Sequence, residues 1–326
     1  MSRLRAALAM DPHLGAELFG AEWTRLASIV DLDPDVISDF GDGTALADVD
    51  VLLAGWGCPF IGADLLDGAP RLRAVLFAGG SASAVLDVRE AARRRIAFTN
   101  AGEGNAQAVA EYTFAMIVLA AKRARYAERI YRERRTYVDR EAELRDTGGY
   151  GRTIGLIGAS RIGRRVARLL AQTDMRVLVS DPYAAMDEVA ALGAVHTDLP
   201  RLLAESDVVS IHAPATSETD GMIGAVELDL LRDGATLINT ARGSLIDHEA
   251  LRAHLRAGRI DAVLDVTVPE PLRPDDELWA LPNVTITPHI AGATGNELRR
   301  LGRDVVDELE RFARGEAFVT VERVLL

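Results

Sequence analysis

Short aliphatic runs alternate with helically spaced segments from one end of the chain to the other, and this rhythm constrains the fold more than any other feature. Parallel strands cannot be joined by a tight turn, so each pair needs a crossover, usually a helix. The expected class is α/β. In the first hundred residues the spacing predicts strands at Val49–Ala54, Arg73–Phe77 and Ile96–Thr99, with a helix at Asp87–Arg95. From Ala106 to about Arg135 it predicts one long helix, apolar as far as Ala121 and then crowded with charge. The polar segment Arg140–Arg152, with Gly148 and Gly149, closes that helix and leads into a strand at Thr153–Ile157, near which a second domain starts. Further strands are expected at Arg176–Ser180, Asp207–His212, Ala235–Asn239, Ile260–Asp265 and Val284–Thr287, then a last helix at about Glu297–Arg314.

A chain of 326 residues, 48% hydrophobic and 26% charged, can bury two cores of ordinary size. Its net charge of −12, from 37 Lys and Arg against 49 Asp and Glu, repels a polyanion and argues against a nucleic-acid partner. Cys58 is the only cysteine, so the expectation is a buried, inert thiol in a reducing compartment, with no disulfide framework and no cysteine-rich zinc site. No uncharged apolar run reaches about 18 residues. The apolar start Leu4–Met10 meets Asp11 without a small-residue cleavage site. The protein is therefore expected to be soluble and cytoplasmic, with no membrane partner. No metal site is expected either, since His248 and His254, six apart, do not share a helical face.

Gly158-Ala159-Ser160-Arg161-Ile162-Gly163 follows the strand Thr153–Ile157 and opens a helix carrying Val166, Leu169 and Leu170. In that context glycines allow a tight turn to bring backbone N–H groups and the positive helix end against a pyrophosphate. Ser160 stands where a second glycine is expected; its Cβ obstructs close approach, while its hydroxyl offers a donor. An ordinary strand-to-helix turn is the plain alternative. Asp181, 18 residues beyond Gly163, ends the next strand, near the spacing of about 20 expected for an acid that binds ribose hydroxyls. Its charge favours NAD over NADP, although Asp181-Pro182 also suits a simple turn.

Three further segments follow apolar strands: Asn239 to Gly243, Asp265 to Pro271, and Thr287 to Gly292. Arg242 offers a planar fork matched to a carboxylate. Glu270 and His289 are candidates for an acid–imidazole pair, in which the carboxylate orients the ring and stabilises its charge when protonated. Singly, each residue is equally at home in a surface ion pair, a solvated turn or a satisfied core. The Gly79-Gly80-Ser81 loop, also after a strand, is a candidate small-molecule contact.

Taken in order, the stretches Ile154–Val166, Ser206–Gly224, Asp233–Asp247, Leu264–Leu272 and Leu278–Thr294 resemble the D-isomer-specific 2-hydroxyacid dehydrogenase family. The resemblance implies a Rossmann-type doubly wound parallel-sheet cofactor domain over 105–293. A smaller flavodoxin-like α/β substrate domain would be built from 1–104 and 294–326, and the crevice would close around both ligands. It implies catalytic roles for Arg242, Glu270 and His289. Substrate would be bound by Asn105, Arg242 and the backbone of Gly79, Gly80 and Ser81. Cofactor contacts are implied at Gly158, Ser160, Arg161, Ile162, Gly163, Asp181, His212, Pro214, Thr216, Thr240, Ala241, Asp265 and His289. The cofactor is then NAD, the substrate a small 2-oxo or 2-hydroxy acid, and the usual assembly a homodimer.

Ser160 departs from the family's fingerprint, and the loop from Ser81 to Ala84 lacks the acid often found there. Tyr112 stands where histidine commonly follows the glutamate matching Glu111, a change assigned mainly to packing. Glyoxylate or hydroxypyruvate reduction and 3-phosphoglycerate oxidation are both open, whereas formate-oxidising relatives carry glutamine at the position of Glu270. The competing readings are an NAD(H)-sensing binding protein, like the related transcriptional corepressors, and a structural relative with no nucleotide.

Overall fold

The computed structural model describes residues 3–41 and 43–320. In chain order its elements are β1 (Arg5–Ala9), α1 (Leu14–Phe19), α2 (Trp23–Ile29), β2 (Asp31–Ile37), β3 (Val51–Ala54), α3 (Ala63–Asp67), β4 (Ala74–Phe77), α4 (Val88–Arg93), β5 (Ala97–Asn100) and α5 (Gly102–Ala121). Next come α6 (Ala124–Arg134), α7 (Arg140–Glu143), β6 (Thr153–Ile157), α8 (Arg161–Leu170), β7 (Arg176–Ser180), α9 (Met186–Ala190), β8 (Val195–His196), α10 (Leu199–Glu205) and β9 (Val208–Ile211). The remainder is α11 (Ala225–Leu230), β10 (Thr236–Asn239), α12 (His248–Arg256), β11 (Asp261–Leu264), β12 (Val284–Ile286) and α13 (Leu298–Ala313). Two compact units result: one holds the chain up to Ala108 and again from Ala293, the other holds Val109–Gly292. The junctions fall a few residues from the expected 104/105 and 293/294, and the first lies inside the unbroken helix α5.

The first unit is a five-stranded parallel sheet in the order β2-β1-β3-β4-β5, the flavodoxin-like arrangement. Its central strands are apolar throughout because both faces are covered. Ala6, Leu8, Val51, Leu53, Ala74 and Leu76 enter one core; Ala7, Ala9, Leu52, Ala54, Val75 and Phe77 enter the other. The C-terminal helix α13 supplies Leu298, Leu301, Val305, Val306 and Leu309 to the first of these cores, beside Leu18 and Phe19 of α1. Gly302 makes that packing possible, since a Cβ there would lie 1.9 Å from the Leu18 carbonyl oxygen.

The second unit is a seven-stranded parallel sheet in the order β12-β11-β10-β9-β6-β7-β8. Strand β6 starts it, the chain runs outward through β7 and β8, then returns to β9 and continues the other way. This is the doubly wound dinucleotide-binding order with a seventh strand added, and its switch point lies between β6 and β9. Among the described residues no helix is long and apolar enough to cross a membrane.

Two expectations need correction. The long helix expected from Ala106 to Arg135 begins at Gly102 and breaks after Ala121; α6 starts afresh at Ala124. Arg123 adopts a left-handed conformation at φ 46°, with its guanidinium 4.6 Å from the Tyr126 ring centre, and the Ala121 carbonyl accepts from the Gly148 amide at 2.7 Å. The chain returning from α7 thus takes a hydrogen bond that would otherwise continue the helix. In addition, the apolar start that the sequence offered only as a rejected leader is β1, an interior strand of the first sheet.

Candidate active site

The turn after β6 can be made only by glycine. Gly158 has φ +100°, and a Cβ on it would lie 2.8 Å from the Ala213 nitrogen and 2.9 Å from the His212 carbonyl carbon, across the switch point. A Cβ on Gly163 would lie 2.1 Å from the Gly158 carbonyl oxygen. Ser160 is the N-cap of α8: its Oγ accepts from the Gly163 amide at 3.3 Å. The hydroxyl therefore has a structural use in starting the helix. The ten-residue helix α8, from Arg161 and Ile162 onward, presents its positive end at this turn.

Asp181 follows β7 and leans over the same turn. Its Oδ2 accepts from the Ala159 amide at 2.7 Å and its Oδ1 from the Tyr183 amide at 2.8 Å. His212, at the end of β9, is buried; burial pushes its pKa down to about 4, so the ring is neutral at pH 7, and its Nε2 has no hydrogen-bond partner. A glycine-only turn, a helix N-terminus, a strand-end acid and an orphaned buried imidazole together fit a dinucleotide. Pro214 and Thr216 form a local loop in which Thr219 Oγ1 donates to the Pro214 carbonyl at 2.6 Å and accepts from the Thr216 amide at 2.9 Å. The Thr240 hydroxyl meets that of Thr113 on α5 at 2.9 Å, a partner the sequence did not suggest.

The catalytic candidates sit on the loops that leave β10, β11 and β12. Asn239, fully buried, clamps the first loop from both sides: its Oδ1 accepts from the Ala241 amide at 3.0 Å and its Nδ2 donates to the Arg242 carbonyl at 2.8 Å. Arg242 is exposed, with Nη1 donating to the Ala241 carbonyl at 2.6 Å. Gly243 lets this loop touch the next one, because a Cβ there would lie 2.3 Å from the Thr267 carbonyl oxygen. From that second loop Glu270 reaches His289, with Oε1 2.6 Å from Nδ1. Both side chains are close to half exposed, at 43% for Glu270 and 49% for His289.

His289 itself has φ +53°, the left-handed region that non-glycine residues seldom adopt. The buried carboxylate of Asp265 holds the loop in that shape. Its Oδ1 accepts from the Ile290 amide at 2.8 Å and from the Thr287 hydroxyl at 2.6 Å, and its Oδ2 accepts from the Ala291 amide at 2.8 Å. Tyr112 extends this network: its phenol lies 2.9 Å from Thr287 Oγ1 and acts as donor, since the threonine hydrogen goes to Asp265. Packing alone is thus too small a role for Tyr112, whose pKa burial raises.

In the first unit, Gly79 and Gly80 follow β4, and a Cβ on Gly79 would strike the Phe77 ring at 2.3 Å. Gly80 lies against Asn105, whose Nδ2 is 3.4 Å from where its Cβ would be, and Asn105 Oδ1 accepts from the Ala293 amide at 3.0 Å. The Ser81 and Ser83 hydroxyls are 2.7 Å apart. Gly80 and Asn105 are therefore neighbours in the first unit. Among the described residues no group of His, Cys, Asp and Glu is arranged to hold a metal ion.

A dinucleotide-type turn and an acid–imidazole pair in one unit fit a nicotinamide-dependent oxidoreductase. The model of the D-isomer specific 2-hydroxyacid dehydrogenase NAD-binding domain matches residues 114–291, and the chain belongs to that family of NAD-dependent enzymes. It is 39% identical over 259 residues to a glyoxylate reductase of Korarchaeum cryptofilum, covering 78% of this chain and 77% of that protein. It is 34% identical over 260 residues to a D-3-phosphoglycerate dehydrogenase of Archaeoglobus fulgidus, of which the match spans only 48%, against 78% of this chain. Among solved structures, the D-mandelate dehydrogenase of Rhodotorula graminis superposes with a TM-score of 0.82 at 25% identity, covering 99% of each chain.

Proposed function

We propose that the protein interconverts a small 2-oxo acid and the corresponding D-2-hydroxy acid, with His289 moving the proton. The Glu270–His289 pair carries this reading: at 2.6 Å the carboxylate occupies Nδ1, which leaves Nε2 as the nitrogen that serves substrate. NAD supplies or accepts the hydride when bound. In reduction the carbonyl carbon gains that hydride while the carbonyl oxygen gains the proton from Nε2; in oxidation the neutral ring takes the proton back. Glu270 fixes the ring's orientation and stabilises the imidazolium. Arg242 pairs with the substrate carboxylate and polarises the carbonyl as charge develops on its oxygen. Within the first unit, the Gly79–Ser81 amides and Asn105 are the groups suited to a substrate's polar end. The α8 turn, Asp181, His212, Pro214, Thr216, Thr240, Ala241 and Asp265 hold the cofactor, and the charge of Asp181 disfavours a 2′-phosphate, hence NAD over NADP.

Relatives named glyoxylate reductase and D-3-phosphoglycerate dehydrogenase support the substrate class. The deciding experiment is NADH oxidation by the purified protein against a panel of 2-oxo acids, repeated with His289→Asn. Turnover on at least one acid is expected, with kcat reduced about 10²- to 10⁴-fold in the variant and NADH affinity retained. Wild-type kcat in His289→Asn refutes the assignment. The same reading includes a cytoplasmic setting and a homodimer; light scattering of the purified protein measures the latter.

A further inference from the structure

His248 opens α12 and takes no direct part in the reaction described above. Its ring is buried, and its Nε2 lies 3.2 Å from the Gly243 carbonyl. A carbonyl oxygen can only accept, so the hydrogen sits on Nε2 and Nδ1 keeps a bare lone pair. Nδ1 has no hydrogen-bond partner among the described residues. Burial pushes the pKa of the ring below the ordinary 6.5 and Arg252 adds to this, while the bond to Gly243 and the charges of Asp276 and Asp247 oppose it. At pH 7 the ring is therefore a neutral donor in one fixed tautomer.

The ring's place is settled by the helix that carries it. Asp247 caps α12 by accepting from the Glu249 and Ala250 amides at 2.9 and 3.1 Å, and its own amide donates to the Ile223 carbonyl at 3.0 Å. Leu251 and Leu255 root the helix in the core shared with Leu245 and Ile246. From this footing His248 reaches back to a loop whose carbonyls are taken one after another. Asn239 holds that of Arg242 at 2.8 Å, His248 that of Gly243, and the Gly221 amide that of Ser244 at 2.7 Å. Gly243 is fixed twice, since it also abuts the Thr267 carbonyl. The exposed Arg242 side chain donates to the carbonyl of its neighbour Ala241, so the backbone beneath it decides where its guanidinium points.

We propose that His248 is a positioning residue for Arg242: its Nε2 donor fixes the Gly243 peptide, and thereby the direction from which the guanidinium meets the substrate carboxylate. The inference rests on the role given to Arg242 above. A misplacement of about 1 Å at such a group lowers the rate by about 10². The Gly243 carbonyl keeps a longer bond from the Ile246 amide, at 3.3 Å, which limits the movement. The expected loss of kcat/KM in His248→Ala is thus about 10- to 100-fold.

The test measures kcat and KM on the best 2-oxo acid of the panel in the wild type, in His248→Ala and in His248→Gln, which keeps an N–H donor at a similar reach. In His248→Ala KM should rise as kcat falls, and His248→Gln should recover kcat/KM to within about threefold of wild type. A merely structural loss would lower the folded fraction, and hence kcat, with KM unchanged. In the Arg242→Ala background, adding His248→Ala should cost less than about threefold further, because the group it positions is gone. Independently of turnover, nitrogen NMR shifts of the ring should show the Nε2–H tautomer, with no titration near pH 6.5. An unchanged KM in His248→Ala, a His248→Gln no better than His248→Ala, an undiminished loss in the Arg242→Ala background, or an Nδ1–H ring overturns this inference while leaving 2-oxo-acid reduction standing. Failure to reduce any acid of the panel overturns the parent reading with it.

Discussion

Replacing Asp265 with alanine should disable the enzyme by releasing the backbone under His289. The carboxylate accepts three hydrogen bonds, from the Ile290 and Ala291 amides and the Thr287 hydroxyl. Hydrogen bonds to an ionised group contribute about 1.5–3 kcal/mol each. They do not simply add. Ile290 is 41% exposed and its amide regains water, whereas Ala291 is 2% exposed and its amide is left without a partner. The local penalty is thus about 3–5 kcal/mol, with the buried Ala291 amide its largest part. In Asp265→Asn the side-chain amide must turn its NH2 toward one of the donors, and the better orientation forfeits only one bond, about 2 kcal/mol.

His289 is held at φ +53° by this loop, so losing the clamp lets the imidazole drift from Glu270. A displacement of about 1 Å at a reacting group lowers the rate by about 10². Two assays follow the effect separately: kcat at saturating NADH and substrate, and hydrogen exchange of the 287–291 segment. Exchange there should accelerate about a hundredfold to several thousandfold in Asp265→Ala, since each factor of ten corresponds to about 1.4 kcal/mol. Wild-type exchange together with wild-type kcat refutes the clamp.

Three further outcomes are expected. Asp181→Ala should improve NADPH use relative to NADH by about tenfold or more, measured as the ratio of the two kcat/KM values; an unchanged ratio removes the repulsion argument. Gly163→Ala places a Cβ 2.1 Å from the Gly158 carbonyl oxygen, so thermal melting should show a loss of about 1–3 kcal/mol and NADH fluorescence titration a weakened cofactor site. For His212, whose pKa falls from 6.5 to about 4 on burial, the unfolded chain binds a proton between those values that the folded chain does not. Stability should consequently fall as pH drops through that window, by on the order of 3 kcal/mol. His212→Asn should flatten that part of a urea-midpoint profile, and an equal acid slope in both proteins counts against the buried neutral ring.

Periodicity revealed most of the strands whose two faces are both buried, though not β1, whose apolar run was read only as a rejected leader. The expected limits of β6 and β7, Thr153–Ile157 and Arg176–Ser180, coincide with the observed ones because apolar runs there stop at turns. Strand β2 was illegible: Asp31–Ile37 carries Pro34 and three aspartates, tolerable only because the strand lies at the sheet edge. Strand β8 has two residues and too little pattern to detect. The break at Arg123 follows from a hydrogen bond to Gly148, distant in sequence, and neither glycine nor proline marks it.

At the site, Glu270 and His289 were legible as a pair because their residue types suit one another. The Asp265 clamp was not, since bonds to backbone amides leave no trace in residue type at 290 and 291. Thr113 escaped notice for a related reason, since it acts through the Thr240 hydroxyl, and the roles of Asn239 in bonding Ala241 and Arg242 and of Thr287 in linking Asp265 to Tyr112 were equally unmarked by residue type.

The C-terminal helix α13 completes a core begun by β1 and α1 some three hundred residues earlier. On the ribosome, Leu8, Leu18 and Phe19 emerge first and wait, uncovered on that face, until Leu301, Val305 and Leu309 are synthesised. The intervening unit, continuous in sequence, can fold meanwhile. Newborn chains should therefore be most prone to aggregate, and most dependent on chaperones, through their earliest residues, and a stop codon before Leu298 should unravel the opposite end of the polypeptide.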